Sequence, residues 1–343
     1  METLIKKGAE ENTCSCCGSS VDAKPCRKFF SKVAEQEYSL YHCSECDLMF
    51  WMPLKIRPEL YDNQAFGYID FHYGLRKKLP YYSKAFFENI PLKRGLLLDV
   101  GGGEGLFSVE AAKKGFDTYM LDFDKKSIEM ARTMGVTNAF TGSLDDFLEY
   151  CKQKNIKFDV ITFFEVIEHQ DNLQPFINAV QQILKPSGWI AGSTPNRERA
   201  FAEITRTSDG QDTPPHHFFW WNKKSLKNFF QLNNFEIEIF PTKVSLEDAT
   251  AHLIDILLGN TIKKLKNRIV ANKQKNIETA NTEKIKRSQK IVLSFMRHIR
   301  HISLLPFGVI LKFIYEKKGG VSFYFQGQKT NCIHHRKYNR CVE

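Results

Sequence analysis

The stretch LLLDVGGGEGLFSVEAA, residues 96–112, joins a short apolar run to a helix-like segment through four glycines. If residues 96–100 form a buried parallel strand, the glycines form the turn at its carboxyl end, where open α/β sheets bind ligands. Glycine suits such a turn because it adopts unusual backbone dihedrals and lets a ligand approach without a Cβ in the way. The stretch therefore predicts a ligand site directly after a strand of an α/β sheet.

Short apolar runs alternate with amphipathic stretches from residue 96 to 194, which predicts a parallel sheet with helices on both faces. The predicted strands in this region are LLLDV, TYMLD, TNAFTGS, FDVITFF and GWIAGST. Asp122 ends the second of them, and Asp124 is the better acceptor for the start of the following helix. Two later segments, FEIEIF at 235–240 and VSFYFQGQK at 321–329, predict two more strands.

The glycine spacing differs from that of a dinucleotide-binding loop. Counting from Gly101, the third glycine is Gly105, and Leu106 stands where a G-x-G-x-x-G pattern requires glycine. The stretch instead reads D-x-G-x-G-x-G from Asp99 to Gly105. Asp122 follows at the next strand end, where a carboxylate can accept two charge-assisted hydrogen bonds from a ribose diol.

These residues, with the block FDVITFFEVIEH at 158–169, resemble class I S-adenosylmethionine-dependent methyltransferases over residues 95–242 and the last strand. The resemblance implies a seven-stranded Rossmann-like α/β sheet and S-adenosyl-L-methionine as cofactor. It implies that the glycine loop holds the methionine part of the cofactor, that Asp122 binds the ribose, and that Phe164 and Glu165 face the sulfonium. The cofactor-binding residues expected on this basis are Asp99, Gly101, Gly103, Gly105, Asp122, Phe123, Ser143, Leu144, Phe164 and Glu165.

Two histidines are the candidates for removing a proton from an acceptor hydroxyl, because histidine is the commonest base near neutral pH. His169 follows the fourth strand, and His217 lies beside His216 in the loop TPPHHFFWW, 213–221. We expect His169 and His217 to be catalytic, while a structural role for each stays open. The four aromatic residues at 218–221 have two interpretations, as a wall around the substrate or as core.

Two C-x-x-C pairs near the N-terminus predict a zinc site. Cys14 with Cys17 and Cys43 with Cys46 offer four thiolates, the tetrahedral set that zinc prefers. Four protein ligands leave no open position, so the Zn²⁺ is expected to be structural; Cys16 is an alternative to Cys14. A zinc-binding module before a methyltransferase domain resembles a subgroup whose members often act on sugars, with related enzymes acting on quinone precursors.

The net charge of +10 is concentrated in one segment. Residues 261–300 carry twelve Lys or Arg residues and two Glu, which accounts for the whole excess. Such a basic segment with an apolar stripe is typical of a helix at an anionic membrane surface. The alternative interpretation is a solvated helical insert that packs on the sheet. The first residues are charged where a signal peptide needs an apolar stretch, and the apolar run at 302–311 is too short to span a bilayer. We therefore expect a cytoplasmic protein, which the basic segment could bring to the inner face of the membrane.

Together these observations favour an S-adenosylmethionine-dependent methyltransferase that O-methylates a hydroxyl of a sugar, a glycan that is free or lipid-linked, or a related small molecule. The alternatives are a quinone-precursor or other small-molecule methyltransferase, an RNA or DNA methyltransferase, and a non-catalytic zinc-ribbon binding module. Nucleic acid is disfavoured because FFEV follows the fourth strand instead of an Asn/Asp-Pro-Pro-aromatic tetrad. The expected segments are a zinc ribbon (1–55), a helical connector (56–94), the methyltransferase domain (95–245), a basic helical insert (246–318), a final strand (319–329) and a tail (330–343).

Overall fold

The computed structural model describes residues 13–57, 69–74, 76, 78–209, 212–246, 249–250, 306–330, 333–334 and 341–342. They form two compact units, one made of 1–197, 211–242 and 322–343 and the other of 198–210 and 243–321. The strands in chain order are β1 (Arg27–Ser31), β2 (Gln36–His42), β3 (Met49–Met52), β4 (Gly95–Val100), β5 (Phe116–Asp122), β6 (Asn138–Thr141), β7 (Phe158–Phe164), β8 (Leu184–Pro195), β9 (Phe219–Trp220), β10 (Phe235–Pro241), β11 (Ser322–Lys329), β12 (Ile333–His334) and β13 (Cys341–Val342).

Helices connect most of these strands. They are α1 (Ile69–His72), α2 (Tyr81–Asn89), α3 (Leu106–Lys113), α4 (Lys125–Thr133), α5 (Leu144–Lys154), α6 (Leu173–Ile183), α7 (Ala202–Asp209) and α8 (Lys223–Leu232), with a short 3₁₀ turn at Ile167–His169. Residues 306–317 are also helical.

The main sheet has seven strands in the order β10-β11-β8-β7-β4-β5-β6. Strand β11 runs antiparallel to both of its neighbours, and the other neighbouring pairs are parallel. The predicted seven-stranded methyltransferase-type α/β fold is confirmed. Because β4, β5 and β7 are parallel neighbours, the loops after Val100, Asp122 and Phe164 meet at one edge of the sheet.

Local signals explain where the helices begin. The Asp124 carboxylate accepts a hydrogen bond from the Lys126 amide at 3.0 Å and so caps α4 as predicted. Ser143 forms a reciprocal capping box with Asp146 at the start of α5, a helix that the hydrophobic pattern did not single out. Helix α6 ends at Ile183, before the stop signal at Pro186, because the chain is already extended at Leu184.

The N-terminal segment forms a second sheet of four strands, in the order β1-β2-β3-β9. Its last strand comes from the distant loop at 213–221, because Phe50 pairs with Phe219 and Met49 with Trp220. Trp220 packs edge-on against Trp51 at 5.4 Å between ring centroids. The aromatic residues at 218–221 are buried, so their interpretation as core is confirmed. None of them is among the described residues that line the cavity at the ends of β4, β5 and β7, so their interpretation as a substrate wall is wrong.

The second unit contains α7 and the helical residues 306–317. Its apolar core includes Val244, Ala249, Leu311 and Tyr315. The basic stretch at 261–300 lies outside the described residues. In the tail expected at 330–343, β12 and β13 form a short antiparallel ladder that the sequence did not predict.

Candidate active site

A cavity of about 710 Å³ opens at the carboxyl ends of β4, β5 and β7. Nine of the ten predicted cofactor residues line it, and Gly105 is the exception. Both predicted catalytic histidines, His169 and His217, line the same cavity, and so does His216. One cavity therefore contains the loop expected to hold a cofactor and the groups expected to handle a proton.

The glycines of the loop serve two different purposes. At Gly103, where φ is +57°, an added Cβ would lie 2.6 Å from the Phe71 ring, so a side chain here would displace the wall of the cavity. Gly105 has φ of +80°, and its Cβ would lie 2.9 Å from the Cβ of Ala131 and 2.8 Å from Val136. Gly105 thus allows the loop to pack on α4, and the structure does not bring it to the cavity with the others.

Asp122 ties the glycine loop to the end of β5. Its two carboxylate oxygens accept hydrogen bonds from the backbone amides of Gly103 and Asp124, each at 2.9 Å. Burial raises the pKa of Asp122 to about 6. The carboxylate expected to bind ribose thus also fixes the loop that surrounds it.

Asp99 lies beneath the loop and is almost fully buried. Its carboxylate accepts hydrogen bonds from the Thr162 hydroxyl of β7 at 2.8 Å and from the Ser108 hydroxyl of α3 at 2.9 Å. Burial raises the pKa of Asp99, and the hydrogen bonds from the two hydroxyls lower it. The effect of burial is the larger one, so the pKa is raised to about 7. Asp99 therefore links β4, β7 and α3 behind the site.

Phe164 ends β7, Glu165 follows it, and both line the cavity. Glu165 has φ of +54°, a conformation that costs a residue with a side chain on the order of 1 to 3 kcal/mol. Hydrogen bonds to Ser193 hold it there, since the Ser193 hydroxyl donates to the Glu165 carboxylate at 2.7 Å. Phe164 stacks on Tyr82 at 5.6 Å between ring centroids.

Three histidines meet in the same cavity. The ligand atoms of His169, His216 and His217 all lie within 4.8 Å of one another. His169 Nδ1 lies 2.7 Å from the His216 carbonyl oxygen. Because a carbonyl oxygen only accepts, Nδ1 carries the proton and donates, and the free lone pair of the neutral His169 ring is on Nε2. His217 places Nδ1 3.1 Å from the Asp212 carboxylate. Burial, with His216 and His217 adding to it, holds the pKa of His169 well below its usual range, so this imidazole is neutral.

Glu168 precedes His169 on the 3₁₀ turn and is fully buried. Its carboxylate oxygen lies 4.0 Å from His169 Nε2. Within the described part of the chain, neither carboxylate oxygen has a hydrogen-bond partner. Burial raises the pKa of Glu168 well above its usual range, and the nearby Glu165 carboxylate adds to the rise.

The sequence did not identify several residues of the cavity. Arg76 and Tyr82 come from the segment expected as a helical connector, 56–94. Arg76 is the one Lys or Arg among the described residues that line the cavity. Its guanidinium lies 4.1 Å from the centre of the Phe71 ring. Asp212 was missed as the partner of His217. A cation within an aromatic stretch was the one available signal for Arg76, and nothing local pointed to Asp212.

The four cysteines of the N-terminal sheet form a second cluster. The sulfur atoms of Cys14, Cys17, Cys43 and Cys46 lie within 4.8 Å of one another, with Cys14 and Cys46 at 3.5 Å and Cys17 and Cys43 at 3.5 Å. A tetrahedral zinc ion with bonds of 2.3 Å places its sulfur ligands about 3.8 Å apart. The cluster therefore fits the predicted zinc ion, and Cys16 is buried beside it without joining the set.

Comparison with known proteins identifies the central part of the chain. Residues 71–238, just under half of the chain, match the family model described as a methyltransferase domain, and this match overlaps most of the segment predicted at 95–245. The ubiquinone biosynthesis O-methyltransferase of Rickettsia canadensis (strain McKiel) is 36% identical over 102 residues, which is 29% of this chain and 43% of the relative.

Similarity to other proteins is of the same partial kind. The enzyme of that name from Bordetella avium (strain 197N) is 30% identical over 103 residues, with 29% of this chain and 43% of the relative covered. The chain thus spans less than half the length of these curated relatives. A crystal structure of a SAM-dependent methyltransferase from Archaeoglobus fulgidus is similar with a TM-score of 0.45 and 15% identity, covering 76% of this chain and 99% of that one.

The raised pKa of Asp99 predicts a pH dependence of stability. Between its ordinary value of 3.8 and its folded value of about 7, the folded state keeps a proton that the unfolded state has lost. This contribution to the free energy of unfolding is therefore complete below pH 4 and is lost as the pH rises through 7. Between pH 5 and pH 8 the wild type should lose about 2 to 3 kcal/mol more than Asp99→Asn. Urea unfolding followed by circular dichroism at both pH values measures the difference, and equal losses in the two proteins would contradict the assignment.

Proposed function

We propose that this chain transfers the methyl group of S-adenosyl-L-methionine to a hydroxyl oxygen of a small molecule. The observation that carries the proposal is the single cavity in which the glycine loop and Asp122 face three clustered imidazoles. The first set suits a nucleoside with an amino-acid tail, and the second suits a hydroxyl that must lose its proton.

The residues of the cavity fit the cofactor. Gly101 and Gly103 allow its methionine part to approach the backbone, and the Asp122 carboxylate accepts hydrogen bonds from its ribose hydroxyls. Phe123, with 46% of its surface exposed, offers a face for the adenine. Arg76 supplies the positive charge for its carboxylate. When bound, the cofactor supplies an electrophilic methyl carbon on a sulfonium.

The reaction is a displacement at that carbon. The acceptor oxygen forms a bond to the methyl carbon while the carbon–sulfur bond breaks, and its electron pair stays on sulfur. The acceptor hydroxyl loses its proton beside the imidazole cluster, and His169 and His217 are our candidates for the residues that promote this loss. Alignment of the two reactants supplies about 7 to 11 kcal/mol of the barrier.

A phenolic hydroxyl of a quinone-precursor type is the better-supported acceptor. The sequence favoured a sugar, but the relatives are named ubiquinone biosynthesis O-methyltransferases. The cavity is also rich in aromatic surface, which suits a flat apolar ring better than a polyhydroxylated sugar. The aromatic residues that line the cavity include Phe71, Tyr82, Phe107, Phe164 and Phe176.

We also propose that the four-cysteine cluster holds a structural Zn²⁺. The converging sulfur atoms support it, and they connect the loop around Cys14 with the turn that joins β2 to β3. Four-coordinate zinc stabilises small modules that lack a large core.

Substituting Asp122 should weaken cofactor binding. Asp122→Asn removes a charged acceptor and should reduce affinity for S-adenosylhomocysteine about 10- to 100-fold. Calorimetric titration measures the change, with Asp117→Asn as the matched control, since Asp117 is exposed near the start of the same strand. Equal affinity for the wild type and Asp122→Asn would remove the ribose assignment.

Substituting the histidines should reduce turnover without loss of the cofactor. His169→Ala and His217→Ala should each slow methyl transfer to a catechol acceptor about 100-fold or more. Affinity for S-adenosylhomocysteine should stay within about threefold, since the imidazoles lie at the acceptor end. Transfer of a radiolabelled methyl group measures turnover, and unchanged rates in both variants would exclude the histidines from proton removal.

We further propose peripheral contact with an anionic bilayer through the helical residues 306–317. In the described residues there is no helix of the length and apolarity that crossing a membrane needs. Phe307, Ile310 and Phe313 are nonetheless more than half exposed on this helix, with Lys312 and Lys317 beside them. Exposed apolar groups flanked by cations suit a bilayer surface with negative headgroups.

Vesicle flotation tests this contact. The full chain should float with vesicles containing phosphatidylglycerol at low salt and be released at high salt. The variant Phe307→Ser, Ile310→Ser, Phe313→Ser should stay in solution. Phe30→Ser, Val33→Ser is the control, because these exposed residues lie in the N-terminal sheet. Equal flotation of both variants would contradict a role for residues 306–317.

A further inference from the structure

We infer that His169, His216 and His217 form a metal centre that holds a divalent transition-metal ion at the acceptor end of the cavity. The inference rests on the proposed function and specifies how the acceptor hydroxyl is activated. It concerns a site separate from the cysteine cluster, with nitrogen instead of sulfur ligands.

The first observation is convergence. The ligand atoms of all three imidazoles lie within 4.8 Å of one another, and their ring centroids are 4.4 to 4.6 Å apart. Metal–nitrogen bonds of about 2.1 Å require nitrogens about 3.0 to 3.4 Å apart. The His216 and His217 rings are stacked at an interplanar angle of 17°, so binding a metal requires these two rings to rotate until their nitrogens converge.

The second observation is the way the rings are oriented. His169 donates from Nδ1 to the His216 carbonyl oxygen, and His217 places Nδ1 against the Asp212 carboxylate. Metal-binding histidines are held in this manner, with one ring nitrogen directed to a carbonyl or carboxylate and the other presenting its lone pair. In both residues the lone pair is thereby assigned to Nε2.

The third observation is a buried carboxylate beside the cluster. Glu168 is fully buried, its Oε1 lies 4.0 Å from His169 Nε2, and neither oxygen has a hydrogen-bond partner among the described residues. The Thr194 hydroxyl favours the charged form of this acid only in part, and a cation among the three imidazoles would compensate the charge. The Asp212 carboxylate, also buried, lies on the other side of His217.

A metal site with three imidazole ligands is typical of a catalytic centre, whereas a structural centre usually has four protein ligands. Three protein ligands leave a coordination position open on the side of the cavity, where the acceptor oxygen can bind. The ion lowers the pKa of that hydroxyl, whose proton is released to solvent while the oxygen attacks the methyl carbon. Neutral nitrogen ligands favour zinc, iron, cobalt or nickel over magnesium or calcium.

Cobalt is the probe that separates the two metal sites. The full-length chain purified from a cobalt-supplemented culture should contain two metal equivalents, measured by elemental analysis. One should show the thiolate-to-cobalt absorption of the cysteine cluster, and the other only ligand-field bands. His216→Ala, His217→Ala should contain one equivalent and keep the thiolate absorption. The control His72→Gln should contain two, because His72 pairs with Asp124 outside the cluster.

A single equivalent in the wild type that shows the thiolate absorption, or two equivalents in the double variant, would overturn the inference. Retained thiolate absorption and retained affinity for S-adenosylhomocysteine show that the double variant is folded. Failure of the proposed function gives a different result. A wild type with two equivalents that does not bind S-adenosylhomocysteine keeps the metal centre and loses the methyltransferase proposal, whereas one equivalent with normal binding does the reverse.

Discussion

The hydrogen bonds from the glycine loop and its neighbours to Asp122 and Asp99 hold the cavity in shape. Asp122 accepts from the Gly103 amide, and Asp99 accepts from hydroxyls on β7 and α3. Asp99 is buried and Asp122 is partly buried, and loss of solvent raises the pKa of each. A glycine-rich loop has few side chains to hold it, so these carboxylates supply much of the rigidity that a preorganised ligand site needs.

Under the proposed function, two kinds of lining divide the chemistry of the cavity. The loop, Asp122 and Arg76 would offer hydrogen bonds and charge to a polar cofactor, while the aromatic rings and imidazoles would receive a neutral acceptor. Glu165 lines the same cavity with a strained backbone that Ser193 fixes. Such strain persists only where surrounding hydrogen bonds over-determine the conformation.

Local patterns predicted the elements and the strand ends well. The apolar runs became β4, β5 and β7, Asp124 caps α4 as predicted, and the two C-x-x-C pairs converge. Relationships between distant segments were beyond sequence reasoning. Nothing in residues 213–221 shows that Trp220 pairs with Met49, or that Asp212 meets His217. Gly105 lies against α4 and not in the described lining, a difference that the sequence could not show because a glycine needed for packing and one needed for a ligand look alike.

Strand β9 joins the N-terminal sheet to the segment that carries His216 and His217. Two of the three imidazoles are therefore only a few residues from a strand whose hydrogen-bonding partner belongs to the cysteine-bearing module. The module is therefore part of the scaffold of the cavity and not a detachable appendage. A truncated chain without β3 would lose the strand on which β9, and with it the histidine-bearing loop, is paired.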